Sequence, residues 1–328
     1  MVCHSWLSRI RQKALDKSFN ESAYIYNKVV DCYEPLFQKD DLVDQVLHLA
    51  EDVSHVMEFS FSRIVSTFIS YLNSCINALE SHENHFQTDS RIPNNILEAY
   101  LIKKLVMGLI ICTVGDAENS QKCKIIDFIK SCQMIRFPPD DILQYEVSLS
   151  TGDWIPYLDR LEKSNTVLAD SQHQDMIIRT TDTLYYENLI FSFLEERKPI
   201  LLCGPPGCGK SMMILSCLRS LPDVSFTVIN FSSTSNPCML RKTLVDLCNY
   251  KKTAHGMSII PKFSQRLVGN YYVLTSVFCD EINLPDYDQF GTQRIISFMR
   301  QLIEYNGFWD TTKNTWVNLE NIQFLGAW

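Results

Sequence analysis

One eight-residue segment constrains the fold more than any other: Gly204-Pro205-Pro206-Gly207-Cys208-Gly209-Lys210-Ser211, which satisfies G-x-x-x-x-G-K-[ST]. It follows the apolar run Ile200 to Cys203 and opens a helix-forming stretch from Lys210 to about Arg219. A glycine-rich turn between a buried strand and a helix is the context in which this spacing wraps phosphate oxygens. Pro205 and Pro206 have no N–H, so the converging donors are the amides from Gly207 through Ser211, at a helix N-terminus whose dipole favours anions. Lys210 is expected to reach the β- and γ-phosphates of a nucleotide, and the Ser211 hydroxyl to ligate magnesium. All eight residues are nucleotide-binding candidates.

A second apolar run ends in Val277-Phe278-Cys279-Asp280-Glu281. Taken alone, an acidic pair after a strand reads as a solvated strand end. Downstream of a phosphate loop it reads differently: a carboxylate at the tip of a parallel strand can hold the magnesium shell, and a second can polarise the attacking water. Asp280 is assigned the first role and Glu281 that of general base.

The rest of the chain divides into two patterns. From Leu42 to Leu79 apolar residues recur at three- and four-residue spacing, as in Leu42, Val46, Leu49 and Val53, which predicts amphipathic helices. Ser81 to Asn95 is polar and reads as a loop, followed by helices over Ile96 to Val114 and Ala117 to Cys132, a four-helix cluster in all. Pro138 and Pro139 mark a boundary at Arg136 to Asp141. Beyond it strands alternate with helices. Strands are expected at Tyr145 to Ser150, Ile200 to Cys203, Ser225 to Phe231, Tyr272 to Cys279 and Asn321 to Leu325. Helices are expected at Leu184 to Glu196, Lys210 to Arg219, Pro237 to Asn249 and Phe290 to Glu304, with a hairpin over Phe308 to Val317. That alternation predicts an α/β fold with a mostly parallel sheet.

At 328 residues, 46% apolar and 21% charged, the chain is long enough for about two domains with cores of their own. A net charge of -8 without Lys/Arg runs argues against nucleic acid as a partner. The twelve cysteines form no CxxC pair, which disfavours a metal site or disulfide framework and fits a reducing cytosol. The longest apolar run, Leu105 to Val114, is too short to span a bilayer, and the N-terminus lacks a secretory h-region. His82 and His85 have HxxH spacing but read as solvated surface. Cys208 reads as a small packing residue, and Phe308, Trp309 and Trp316 as the cover of a hairpin face.

Longer stretches carry a resemblance. FCDEINLPDYDQFGTQRIISFMRQLIEYNGFW, from Phe278 to Trp309, resembles the Walker B region of the third AAA+ module of cytoplasmic dynein heavy chains. GPPGCGKSMM, NFSSTSNPCMLRKTL and DTLYYENLIFSFLEERKPILLCGPPG are similar to the same module in register. PLFQKDDLVDQVLHLAEDVSHVMEFSFSRIVSTFISYLNSC resembles the helical small subdomain of the second module, and YEVSLSTGDW the connector between them. The resemblance runs from about Pro35 to Ala327. It implies four segments: an unassigned 1–32, a lid-like all-α subdomain 33–135, a connector 136–183, and a P-loop NTPase (AAA+) large subdomain 184–328.

By resemblance, Gly204, Gly207, Gly209, Lys210 and Ser211 match Walker A, and Asp280 and Glu281 match Walker B. Thr180, Asp182 and Thr183, within Ile178 to Thr183, match an adenine-side loop from which Arg179 departs. Ser211 stands where threonine is more usual, and Cys208 where serine is common. The family implies ATP or ADP with Mg2+ as cofactors and a regulatory nucleotide site in a six-module motor that walks on microtubules. Its partners would be the remaining AAA+ modules of the same heavy chain, accessory chains and microtubules, and its place the cytoplasm and cytoskeleton. The family continues from the last strand with GACNPPTDPGR. A chain stopping at Trp328 is therefore expected to lack the sensor asparagine, the arginine fingers and the microtubule-binding stalk, to bind nucleotide weakly and to hydrolyse it poorly. The alternatives are a noncatalytic truncated interaction protein and a midasin-like AAA+ ATPase.

Overall fold

A computed structural model of the chain describes residues 2–16, 23–38, 41–85, 92–165, 179–221, 224–253, 256–262, 267–268, 271–272 and 274–328. They fall into two compact units, Met1–Tyr185 and Tyr186–Trp328.

The first unit is built from α1 (Val2–Asp16), α2 (Ala23–Tyr33), α3 (Leu42–Glu51), α4 (Phe61–His85), α5 (Asn94–Val114) and α6 (Asn119–Ser131). A small antiparallel ribbon follows, β1 (Tyr145–Val147) with β2 (Trp154–Pro156), then α7 (Tyr157–Asn165). Helix α5 is buried along most of its length, from Leu97 and Leu101 to Leu109 and Ile110. A helix that is apolar nearly all round is stable only when surrounded, and the other helices supply that cover. The N-terminal segment, unassigned by resemblance, joins this core. Trp6, Leu7 and Ile10 of α1 are buried, the Trp6 indole donates to Asn73 Oδ1 at 2.8 Å, and the Tyr33 hydroxyl donates to the Leu101 carbonyl at 3.0 Å. The cluster therefore holds more than the four helices expected. The polar segment from Ser81 also differs from expectation, since Ser81 to His85 form the last turn of α4. Charged and amide residues have ordinary helix propensities, so polarity alone does not terminate a helix.

α8 (Thr181–Glu195) leads into the second unit: β3 (Ile200–Leu202), α9 (Lys210–Ser220), β4 (Val224–Asn230), α10 (Pro237–Leu247), β5 (Cys248–Thr253) and β6 (Gly256–Pro261). Then come β7 (Leu267–Val268), β8 (Tyr271–Tyr272), β9 (Leu274–Asp280), α11 (Arg294–Glu304), β10 (Gly307–Asp310), β11 (Thr315–Leu319) and β12 (Ile322–Ala327). The central sheet has the order β3-β12-β9-β4, every pair parallel. Alternate residues of β9 face opposite sides, as a strand requires. Val277 and Cys279 pack with Leu240 and Leu244 of α10 and Ile295 and Met299 of α11. Phe278 packs with Ile190 and Leu194 of α8 and Ile214 and Leu218 of α9. The two helical layers explain why Leu274 to Cys279 is buried without a break.

A second sheet was not expected. Its order is β10-β11-β6-β5, in which β10 and β11 form the anticipated hairpin and β11 runs parallel to β6. The expected helix over Pro237 to Asn249 gives way after Leu247, because Cys248 begins a strand paired with Pro261. Helix α11 begins at Arg294, four residues later than Phe290, since the preceding residues form a loop around Asp288.

Candidate functional site

The phosphate loop takes the conformation its glycines permit. Gly207 and Gly209 have φ of 79° and 87°, a region that side chains rarely enter, and Gly209 is the N-cap of α9. A Cβ at Gly204 would meet Cys208 Sγ at 3.2 Å. Gly204 donates its amide to the Trp328 carbonyl at 3.0 Å, and Trp328 donates to Leu202 at 2.9 Å, which stitches the start of the loop to the end of β12. Among the described residues, none of the amides from Gly207 to Ser211 donates to a backbone carbonyl or side chain. A row of free donors at a helix N-terminus is an anion site in waiting. The Lys210 ammonium closes the loop on itself, donating to the carbonyls of Gly204 and Pro205 at 2.9 Å each, with Cys208 Sγ at 3.6 Å.

The sheet order sets the acidic pair beside this loop. β12 separates β3 from β9, and the Ser211 hydroxyl donates to Asp280 Oδ1 at 2.9 Å. The same carboxylate oxygen accepts the Glu281 amide at 3.0 Å, and the Asp280 carbonyl accepts the Phe231 amide at 3.0 Å. Glu281 is exposed and has φ of 56°, the left-handed region that costs a side chain on the order of 1 kcal/mol. The residue pair joined by a hydroxyl–carboxylate bond and the free amides next to it fit a magnesium–nucleotide. Ser211 and Asp280 offer two hard oxygen donors, the set magnesium prefers.

The loop after the carboxylates was missed as a structural unit. Asp288 Oδ1 accepts the amides of Phe290 at 2.9 Å and Thr292 at 3.0 Å, while Oδ2 accepts Thr292 Oγ1 and Arg294 Nε. The Thr292 amide and the Arg294 guanidinium hold the Asp288 carboxyl well below the usual carboxylate range. The Asp286 amide donates to the Ser233 carbonyl at 3.2 Å, tying this loop to the one after β4. The signal was present in DYDQFGT, an aspartate followed by glycine and threonine at turn spacing.

Thr180 and Thr183 stand at the N-terminus of α8. They form a reciprocal cap at the start of α8: the Thr183 amide donates to Thr180 Oγ1 at 3.2 Å and the Thr180 amide to Thr183 Oγ1 at 2.7 Å. Asp182 is exposed in the first turn of that helix, where a negative charge suits the dipole. Ile178 lies outside the described residues. Among the described residues no helix is long and apolar enough to cross a membrane.

A parallel sheet with helices on both faces, a glycine-rich loop from strand to helix and carboxylates at the end of another strand of the same sheet define a P-loop domain of the AAA+ class. Residues 166–328 match the family model described as P-loop containing dynein motor region, and residues 33–159 the one described as dynein heavy chain AAA lid domain. The chain belongs to the dynein heavy chain family. It is 35% identical to the cytoplasmic dynein heavy chain of Neurospora crassa over 96% of its own length, and 35% identical to that of Drosophila melanogaster over 100%. The Caenorhabditis elegans protein of the same name is 34% identical over 100% of the chain. The chain spans only about 7% of the length of the first two relatives and 8% of the third.

Proposed function

We propose that the second unit binds ATP or ADP with Mg2+ as the regulatory nucleotide module of a dynein-type motor, and that Glu281 is the general base for hydrolysis. The observation that carries this reading is the Ser211–Asp280 hydrogen bond beside the free amides of Gly207 to Ser211. On binding, the amides would take the phosphate oxygens, and Lys210 would leave the carbonyls of Gly204 and Pro205 for the β- and γ-phosphates. Ser211 and Asp280 would hold the magnesium, which when bound neutralises charge developing on the phosphates. Glu281 would orient a water and accept its proton. In the full heavy chain the partners would be the other AAA+ modules, accessory chains and, through regions elsewhere in the heavy chain, microtubules, in the cytoplasm. Residues 33–135 would serve as the lid of the preceding module and 184–328 as the large subdomain of the next, joined by 136–183.

Equilibrium binding of a fluorescent ATP analogue tests the first half. Lys210→Ala is expected to weaken it roughly 10- to 100-fold, the effect of losing charge-assisted hydrogen bonds. Saturable binding that ignores Lys210 and magnesium would overturn the reading. In single-turnover assays Glu281→Gln is expected to lose hydrolysis while keeping affinity; unchanged hydrolysis would remove Glu281 from the mechanism.

A further inference from the structure

Glu281 is the one residue of the site with a side chain in the left-handed region, and its neighbours show what keeps it there. Its amide donates to Asp280 Oδ1, and the Asp280 carbonyl is tied to Phe231 beyond β4. On the other side Ile282 donates its amide to the Ala327 carbonyl of β12 at 3.1 Å. Its side chain lies over Gly326 of the same strand. A Cβ on Gly326 would fall far inside van der Waals contact with Ile282 Cδ1 and would meet Leu201 Cδ1 at 2.9 Å. Gly326 is paired with Cys279 of β9 and Leu201 of β3, in the interior of the sheet, where the strand needs no glycine for its own conformation. The missing side chain is therefore a seat for Ile282. Glu281 is the only residue between the Asp280 anchor and this seat, so its backbone has little choice.

We propose that Gly326 is a positioning residue for Glu281: by leaving room for Ile282 against β12, it holds the Glu281 backbone in the left-handed conformation it takes directly after Asp280. The claim deepens the reading of Glu281 as base and rests on it for its catalytic meaning. The structural half can be read without catalysis. Gly326→Val puts a branched side chain where the Ile282 Cδ1 methyl sits, so the Ile282 side chain is expected to give way. Ile282→Ala empties the seat. The pair Gly326→Val with Ile282→Ala exchanges the two volumes and refills the space, a swap of the kind cores tolerate.

The measurement is made on the whole chain with isotope-labelled glutamate, the Glu281 signal being identified by its loss in Glu281→Gln. Its Cα and Cβ chemical shifts report the left-handed backbone. Each single variant is expected to lose that signature, and the double variant to regain it. In single-turnover hydrolysis at saturating ATP, each single variant is expected to fall about 10- to 100-fold with nucleotide affinity within about twofold of the parent, and the pair to recover. Should Gly326→Val not fold, Ile282→Ala against the pair decides. Unchanged Glu281 shifts in a single variant, or shifts the pair does not restore, would overturn the proposal. Restored shifts alongside hydrolysis that ignores Glu281→Gln would leave the positioning intact and overturn the base assignment instead.

Discussion

Asp310 ends β10 with its side chain fully buried. It accepts Arg241 Nη1 at 3.1 Å, the Tyr250 hydroxyl at 2.9 Å and the Thr312 amide at 2.9 Å, and the Lys313 ammonium lies 3.0 Å from the Tyr250 ring centroid. Burial pushes its carboxyl up, but the donors from Thr312, Tyr250 and Lys313 outweigh that and set it at about 2. Burial first, and then the hydrogen bond to Asp310, raise the Tyr250 hydroxyl to about 12. Removing the carboxylate strands Arg241 and Tyr250, so Asp310→Ala is expected to cost about 3 kcal/mol, seen as a lower midpoint in urea unfolding. A change within experimental error would show that water replaces the carboxylate. Nothing in the sequence marked Asp310. Its partners come from α10, β5 and the β10–β11 turn, and only folding brings those elements together.

At the scale of elements, one carboxylate, Asp288, fastens the end of the loop that leads into α11. Because Asp288 titrates below its unfolded range, its contribution to stability is present above about pH 4, the ordinary carboxylate value, and is lost as pH falls through the lower folded value. The gap in melting temperature between the parent and Asp288→Asn is therefore expected to be full above about pH 5 and to close towards pH 2. A gap that widened on acidification would reverse the assignment. Elements with a strong local signature were legible in the sequence. The phosphate loop, α9, β9 and the β10–β11 hairpin stand where periodicity, glycine spacing and turn residues put them. The strand β5 was not legible, because half of CNYKKT is asparagine and lysine, residue types depleted in strands. Its strand conformation comes from pairing with β6 and, through β6, with β11 some sixty residues on. Non-local pairing overrides local propensity wherever propensity is weak.

At the scale of the molecule, each unit has its own core. Trp6, Tyr33 and Phe37 form an aromatic cluster in the first, with Trp6 and Tyr33 stacked at 6.2 Å. Trp6→Ala is expected to destabilise that unit by about 3 to 5 kcal/mol. ATP affinity should change by less than twofold, since the phosphate loop and its carboxylates lie in the other unit. Calorimetry with and without nucleotide checks both: nucleotide should raise only the transition that Trp6→Ala leaves in place. If the substitution also weakens ATP binding, the units do not act independently.

What the sequence by itself determined is the chemistry that local rules can encode. Gly204, Gly207 and Gly209 specify a loop, Lys210 and Ser211 complete the phosphate-loop pattern at the start of α9, and an unbroken apolar strand ending in Asp280 and Glu281 announces carboxylates at a strand tip. These follow from bonds and conformations within a few residues of one another. What only the tertiary structure decided is which distant groups meet: Ser211 with Asp280, Asp310 with Arg241 and Tyr250, Ile282 with Gly326, and Trp6 with Asn73. Each is a contact across strands or helices. A contact of that kind depends on strand order and helix packing, and neither is written in any short window of the chain.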